Sequence, residues 1–321
     1  IKDLRAQMGD DPRVPNLSIH GFGYLYLADT PERADILRAN HQVQVAAGAG
    51  TRLLDADRIR EEYPFYALDD ILLGSINTVD EGYWDGSTLF EWFRRKAMDA
   101  GVAYIENEVV AITRGARVEG VTLASGERVA CGALVNASGP RAARTARMSG
   151  LDIPVEPRKR YTWVVRAEQK LERDLPLTID PTGVHMRENG GGTYMIGAHD
   201  PVDPTVDPDD FTMDHDFWEN HVWPVVATRI PRFEALRIQT EWAGHYAYNT
   251  LDQNAIIGPH PELENFLFIN GFSGHGLQQA PAMGRGVAEW LVHGTYRSLD
   301  LRPFHFERIL AQAPLRETAI I

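Results

Sequence analysis

The sequence predicts a mixed α/β (α+β) chain of two interleaved domains, and three stretches carry that prediction. Residues 266–286, FLFINGFSGHGLQQAPAMGRG, pass from a short apolar strand through a turn rich in glycine (Gly271, Gly274, Gly276) into a helical run. Residues 133–148 repeat the plan: an apolar strand, broken only by Asn136, enters Ser138-Gly139-Pro140 and a helix follows. From Pro154 the character changes. Residues 161–167 and 193–197 alternate as strands do, and Gly190-Gly191-Gly192 reads as a hairpin turn.

The elements follow in order along the chain. GFGYLYL at 21–27 alternates aromatic and apolar residues and reads as a strand. Thr30 is a fitting N-cap with Pro31 at the first helical position. Residues 55–62 form a short polar helix closed by Pro64, and 71–76 a strand. Residues 87–100 read as an amphipathic helix capped by Ser87, with Leu89, Phe90, Phe93 and Ala97 on one face and Gly101 at its end. Strands are expected at 102–105, 108–114, 118–123 and 128–131, the last two joined at Ser125-Gly126. The acidic, proline-rich 200–216 has no apolar period and reads as a solvated loop, with a binding element second. Residues 217–227 are helical. Pro281 is expected to open the last helix, which ends near Gly294.

Bulk properties narrow the function. The 321 residues suit about two domains, and 44% hydrophobic content is ample for a core. A net charge of −13 argues against nucleic acid and against an anionic membrane surface. No apolar run is long enough to span a bilayer. The single Cys131 allows no internal disulfide and favours a reducing compartment, which reads as the cytoplasm or the periphery of an inner membrane. No metal-ligand spacing appears.

A strand feeding a glycine turn and a helix gathers free N–H groups at a positive dipole end. Such a place holds an anion, or a ring that becomes negative on reduction. Taken alone, it can equally be a tight turn with no ligand. LVNASGP at 134–140, also readable as a plain strand end, lies where ligand crevices form in open α/β sheets.

Four segments in this order, DEGYWDGSTLFEWFRRKAMDAGV (80–102), LVNASGP (134–140), NTLDQNAIIGPHPE (249–262) and GFSGHG (271–276), carry a resemblance over nearly the whole chain. The chain resembles the FAD-dependent amine and amino-acid oxidoreductases of the D-amino-acid oxidase superfamily, the branch of glycine oxidase, monomeric sarcosine oxidase and dimethylglycine dehydrogenase. The resemblance implies an FAD-binding Rossmann-like domain and a second domain on a mixed or antiparallel sheet with helices. Approximate boundaries are 1–30, 65–153 and 250–321 for the FAD-binding domain and 31–64 and 154–249 for the substrate-binding domain. No GxGxxG stands near Ile1, and Gly48-Ala49-Gly50-Thr51 matches only superficially. The family's first βαβ unit is therefore expected before Ile1.

On the same resemblance, Val109, Asn136, Ala137, Ser138, Gly139, Gly271, Gly274, His275, Gly276, Leu277 and Gln278 are expected to bind FAD. The catalytic set is expected to be His199, Gln278, His185 and Met195. Sarcosine oxidase relatives carry a substrate-binding lysine at the position of Gln278, so the carboxylate anchor must differ, with Arg187 a candidate. At Met195 the oxidases carry a lysine that helps oxygen accept electrons, which favours a dehydrogenase here. His245 occupies a place where some relatives carry a cysteine joined to FAD, so the FAD is expected to be non-covalent.

The expected activity is flavin-dependent oxidation of an amine or N-methylated amino acid by hydride transfer to flavin N5. The expected partners are that small-molecule substrate and an electron-accepting protein or quinone. Two alternatives stand beside it: a 2-hydroxy-acid or glycerol-phosphate dehydrogenase of the same superfamily, and a non-catalytic FAD-containing assembly or scaffold protein.

Overall fold

The computed structural model describes residues 3–8 and 11–315. An eight-stranded sheet dominates it. Its spatial order is Leu236–Asn249, Val155–Ala167, Thr193–Ala198, His185–Gly190, Leu177–Ile179, Tyr24–Ala28, Leu73–Asn77 and Arg52–Leu54. Every neighbouring pair is antiparallel except Leu177–Ile179 with Tyr24–Ala28.

Side-chain alternation gives this sheet two unlike faces. Trp163, Val165, Met186, Tyr194 and Ile196 bury one face against Phe217, Trp218, Val222, Val226 and Phe233. The other face collects polar and aromatic side chains. Tyr26 lies opposite Ile179, Ile179 opposite His185, and His185 opposite Gly197. Gly197 is required there, because a Cβ would sit 2.1 Å from His185 Nε2.

A second layer is built on Leu134–Asn136 and Leu263–Asn270, which run parallel, with Ile256–His260 antiparallel on the far side. Helix Gly276–His293 covers it through Met283 and Val287. The meander Val109–Arg114, Val118–Leu123, Arg128–Ala130 is tied on by Asn265, whose amide bridges the N–H and carbonyl of Val118.

The expected cap holds: Thr30 caps Pro31–Ala46 by accepting from Arg33 N–H. The short polar helix runs over Ala56–Glu62, with Asp55 as its cap rather than its first residue. Other expectations are corrected. The cap of Gly86–Asp99 is Asp85, not Ser87, and the buried residues are Leu89 and Trp92 while Phe90 is 66% exposed. Residues 102–105 form no strand, since no neighbour offers them a ladder. The last helix starts at Gly276, directly from the glycine turn, and Pro281 lies inside it. Docking on the parallel strands outweighs the hydrogen bond that proline removes.

The acidic 200–216 segment is largely exposed, as expected of a solvated loop, but ion pairs tie it down as a strap. Asp203 holds Arg160 at 2.6 Å, Asp210 holds Lys159 at 2.6 Å, and Asp209 pairs with Arg141. The domain expectation also meets a difference: Tyr24–Ala28 and Leu73–Asn77, expected with the FAD-binding part, are paired into the eight-stranded sheet. Cross-strand register, invisible in a linear reading, puts them there.

Candidate functional site

Each of the two parallel strands ends at an opening of its own. Leu263–Asn270 runs into Gly271 (φ 72°), Ser273 (φ 48°) and Gly274 (φ 102°) before the helix begins. Buried Ser273 fixes this turn: its N–H donates to the Ala247 carbonyl and its hydroxyl accepts from Asn249 N–H, at 3.0 and 2.9 Å. Gly274 must lack a side chain, since a Cβ would lie 2.6 Å from the Tyr246 ring. No side chain caps the helix start. The N–H groups of the first turn are thus left for a ligand at the positive end of the dipole.

The turn opens on a cavity of about 560 Å³ shared with the polar face of the large sheet. Gly274, His275, Leu277 and Gln278 line one side. Tyr24, Tyr26, Glu81, Tyr83, His185 and Tyr246 are among the residues lining the rest. Burial pushes the Tyr24, Tyr26 and Tyr246 phenols up, so they stay protonated. Desolvation also raises Glu81, whose carboxylate has Asn77 Nδ2 at 3.4 Å. His185 is held down at about 4 by burial, so its ring is neutral near pH 7. The ring keeps an edge on the cavity, while its Nδ1 is shut from solvent without a hydrogen-bond partner.

A second groove, of about 690 Å³, lies at the end of Leu134–Asn136 and takes in Val109, Val135, Ser138 and Arg141. Asn136 is buried between the two regions. Its Nδ2 donates to the Ala142 carbonyl and its Oδ1 accepts from Ser138 N–H. Asn270 Oδ1, buried at the end of the neighbouring strand, has no partner. Beside Gly139 (φ 55°) a Cβ would meet nothing within 4 Å.

The expected residues thus divide. Gly274, His275, Leu277, Gln278 and His185 come together at the cavity, with Gly271 and Gly276 shaping the turn. Val109 and Ser138 share the second groove, and Ala137 and Gly139 flank it in sequence. Met195 lies on the polar face, opposite Arg187, and its sulfur accepts from Arg187 Nη2 at 3.1 Å. His199 does not line the cavity, and its Nδ1 bonds the Asp200 carbonyl at 2.8 Å. The strand ends before it at Ala198, so the ring leaves the sheet. His245 Nε2 bonds the Asp210 carbonyl of the strap. Tyr24, Glu81, Tyr83 and Tyr246 were missed. Only the DEGYWDG segment offered a signal for two of them.

Comparison with known proteins agrees with this architecture. A profile described as FAD dependent oxidoreductase matches residues 10–290. The chain is 36% identical, over all of its length and 70% of the relative's, to FAD-dependent oxidoreductase domain-containing protein 1 of Xenopus laevis. It is 25% identical to mitochondrial dimethylglycine dehydrogenase of Rattus norvegicus over 87% of this chain and 34% of that one. Among solved structures, L-proline dehydrogenase from P. horikoshii matches with a TM-score of 0.81 at 26% identity, covering 97% of this chain and 80% of that one.

The residues present fit FAD. Free N–H groups at a helix start suit a group that carries or gains negative charge. The orphaned acceptor Asn270 Oδ1 and the open space beside Gly139 leave room and a hydrogen-bonding atom at the strand ends. Among the described residues no cluster of His, Cys, Asp and Glu could hold a metal, and no helix is long and apolar enough to cross a membrane. Parallel strands ending at a glycine turn, an uncapped helix facing a half-polar cavity, and a profile match over most of the chain have one consistent reading: the chain belongs to the FAD-dependent oxidoreductase family.

Proposed function

We propose that the chain oxidises an amine or N-methylated amino acid and passes the electrons to a protein or quinone rather than to oxygen. The observation that carries this reading is the charge character of the cavity: Glu81 lines it, and no lysine or arginine does among the described residues. A carboxylate in a half-dry cavity attracts an amine. Bound FAD would supply the acceptor for hydride from the carbon beside the amine nitrogen.

The chain's own residues bind, orient and exclude water. Glu81 holds the amine end. Neutral His185 offers a ring nitrogen as hydrogen-bond partner without adding charge, and Tyr24, Tyr26 and Tyr246 wall off solvent. The N–H groups of Gly276, Leu277 and Gln278 present a positive pole to developing negative charge. Dimethylglycine dehydrogenase among the relatives supports the amine class.

The test is anaerobic mixing of FAD-loaded protein with sarcosine, dimethylglycine, L-proline, L-lactate and glycerol 3-phosphate, followed by flavin absorbance. Bleaching by an amine supports the proposal. Bleaching by lactate or glycerol phosphate alone replaces it with the hydroxy-acid or glycerol-phosphate alternative. Bleaching by none points to the scaffold reading. Reoxidation is then timed in air, and oxidase-like rates would overturn the dehydrogenase half. One observation favours the oxidase instead: Arg187 lies against Met195, so a cation stands beside the position where the oxidases carry lysine. If air reoxidation is fast and R187Q slows it, that second reading stands.

A further inference from the structure

One aromatic wall of the cavity at the glycine turn is held by a cation that does not itself line the cavity. Tyr246 lines it and packs on the turn, where a Cβ on Gly274 would lie 2.6 Å from the ring. Arg160 lies over the same ring, with its guanidinium carbon 4.4 Å from the centroid. The two residues share the polar face of the large sheet. Arg160 stands opposite Gly244 and Arg158 opposite Tyr246 on adjacent strands, so Arg160 reaches the ring along the diagonal.

The guanidinium is fixed in turn by the acidic strap. Asp203 accepts from both of its terminal nitrogens, Nη1 at 2.6 Å and Nη2 at 3.1 Å, and Nη1 also donates to the Lys159 carbonyl at 2.9 Å. A tight turn just after strand Thr193–Ala198 presents Asp203, whose N–H donates to the Asp200 carbonyl at 2.9 Å. The Arg160 and Asp203 side chains are only 12% and 19% exposed, so salt screens the pair little.

A ring that swung away from Gly274 would strip the guanidinium of its aromatic face, and that contact is stronger in a half-dry place than in water. The ring is thereby kept against a turn that leads into a helix with no side-chain cap. A turn already in its bound shape loses less conformational freedom when a ligand arrives.

We infer that Arg160 is a positioning residue for FAD: Asp203 grips it, it holds Tyr246, and Tyr246 holds the glycine turn in the shape that receives the cofactor. The strap thus reaches the flavin site through two side chains without lining it. The inference needs bound FAD but no particular substrate, so it stands or falls apart from the amine reading.

The test follows FAD release when FAD-loaded protein is diluted, read by the rise in flavin fluorescence. R160M should raise the dissociation constant about tenfold, the scale of a desolvated cation–π contact. R160K keeps a cation over the ring and should recover most of that loss. D203N should weaken FAD in the same direction. D210N frees Lys159 from the same segment and should change FAD binding less than about twofold. The deciding arm is a cycle with Y246L. Because Arg160 acts through the ring, R160M added to Y246L should weaken FAD less than about twofold further. Additive losses overturn the proposal, since they would mean that Arg160 acts on the fold at large. Wild-type affinity in R160M overturns it too, as does equal weakening by D203N and D210N, or an R160K variant that recovers nothing. If R160M does not fold, D203N takes its place in the cycle with Y246L, and additive losses there overturn the proposal equally.

Discussion

His185 makes the stability of this protein depend on pH in a way that one substitution should remove. Its ordinary pKa is 6.5, and burial holds it at about 4 in the folded chain. The unfolded chain therefore takes up the proton first as pH falls. The stabilisation from keeping the ring neutral is complete above 6.5 and is lost progressively as pH falls towards 4. A gap of two and a half units corresponds to at most about 3 kcal/mol once pH reaches 4, and about 2 kcal/mol at pH 5. Water in the cavity reaches one edge of the ring and brings the figure at pH 5 closer to about 1 kcal/mol. The assay is urea unfolding at fixed excess FAD for wild type and H185N, at pH 7.5, 6 and 5. Between the extremes wild type should lose about 1–2 kcal/mol more than H185N. Parallel pH profiles would refute the reasoning, because carboxylates elsewhere titrate identically in both proteins.

Further outcomes follow from other parts of the structure. G274A places a Cβ against the Tyr246 ring at a φ of 102°. Its strain of about 1–3 kcal/mol should weaken FAD binding at least tenfold by fluorescence titration, and unaltered affinity would refute the close packing. Arg229 is buried between Asp70 and Asp180 and also donates to the Ala67 carbonyl. R229M strands Asp180 and should cost about 3–5 kcal/mol in the urea midpoint, and a loss under 1 kcal/mol would count against a buried pair. The double variant D203N/D210N should speed proteolysis within 200–216 and also lower the urea midpoint, because largely buried Arg160 and Lys159 lose their counter-ions. Unchanged cleavage would show that the strap is held by something other than those ions.

Local chemistry was legible where the decision is local. Thr30 is a cap because a short side-chain oxygen reaches an N–H three residues on, and nothing distant changes that. Where tertiary contacts compete, the linear reading erred. Pro281 looked like a helix start, yet the helix begins at Gly276 because it must spring from the turn that closes on Tyr246. Phe90 looked like core by its spacing, yet the helix turns Leu89 and Trp92 inwards. The acidic segment read rightly as exposed, but its tethering was hidden because its arginine and lysine partners lie 43 to 68 residues away in the chain.

The sequence by itself determined the family, the glycine turn and the helix that leaves it, since backbone freedom and dipole chemistry are written in consecutive residues. Only the tertiary structure decided what faces that turn. Tyr24, Glu81, His185 and Tyr246 meet at one cavity because sheet register and strand order bring distant segments together. Which face a strand residue takes follows from its own alternation, but which residues share that face depends on pairing between strands. Those pairings are set by burial of the whole sheet, a property no single segment carries.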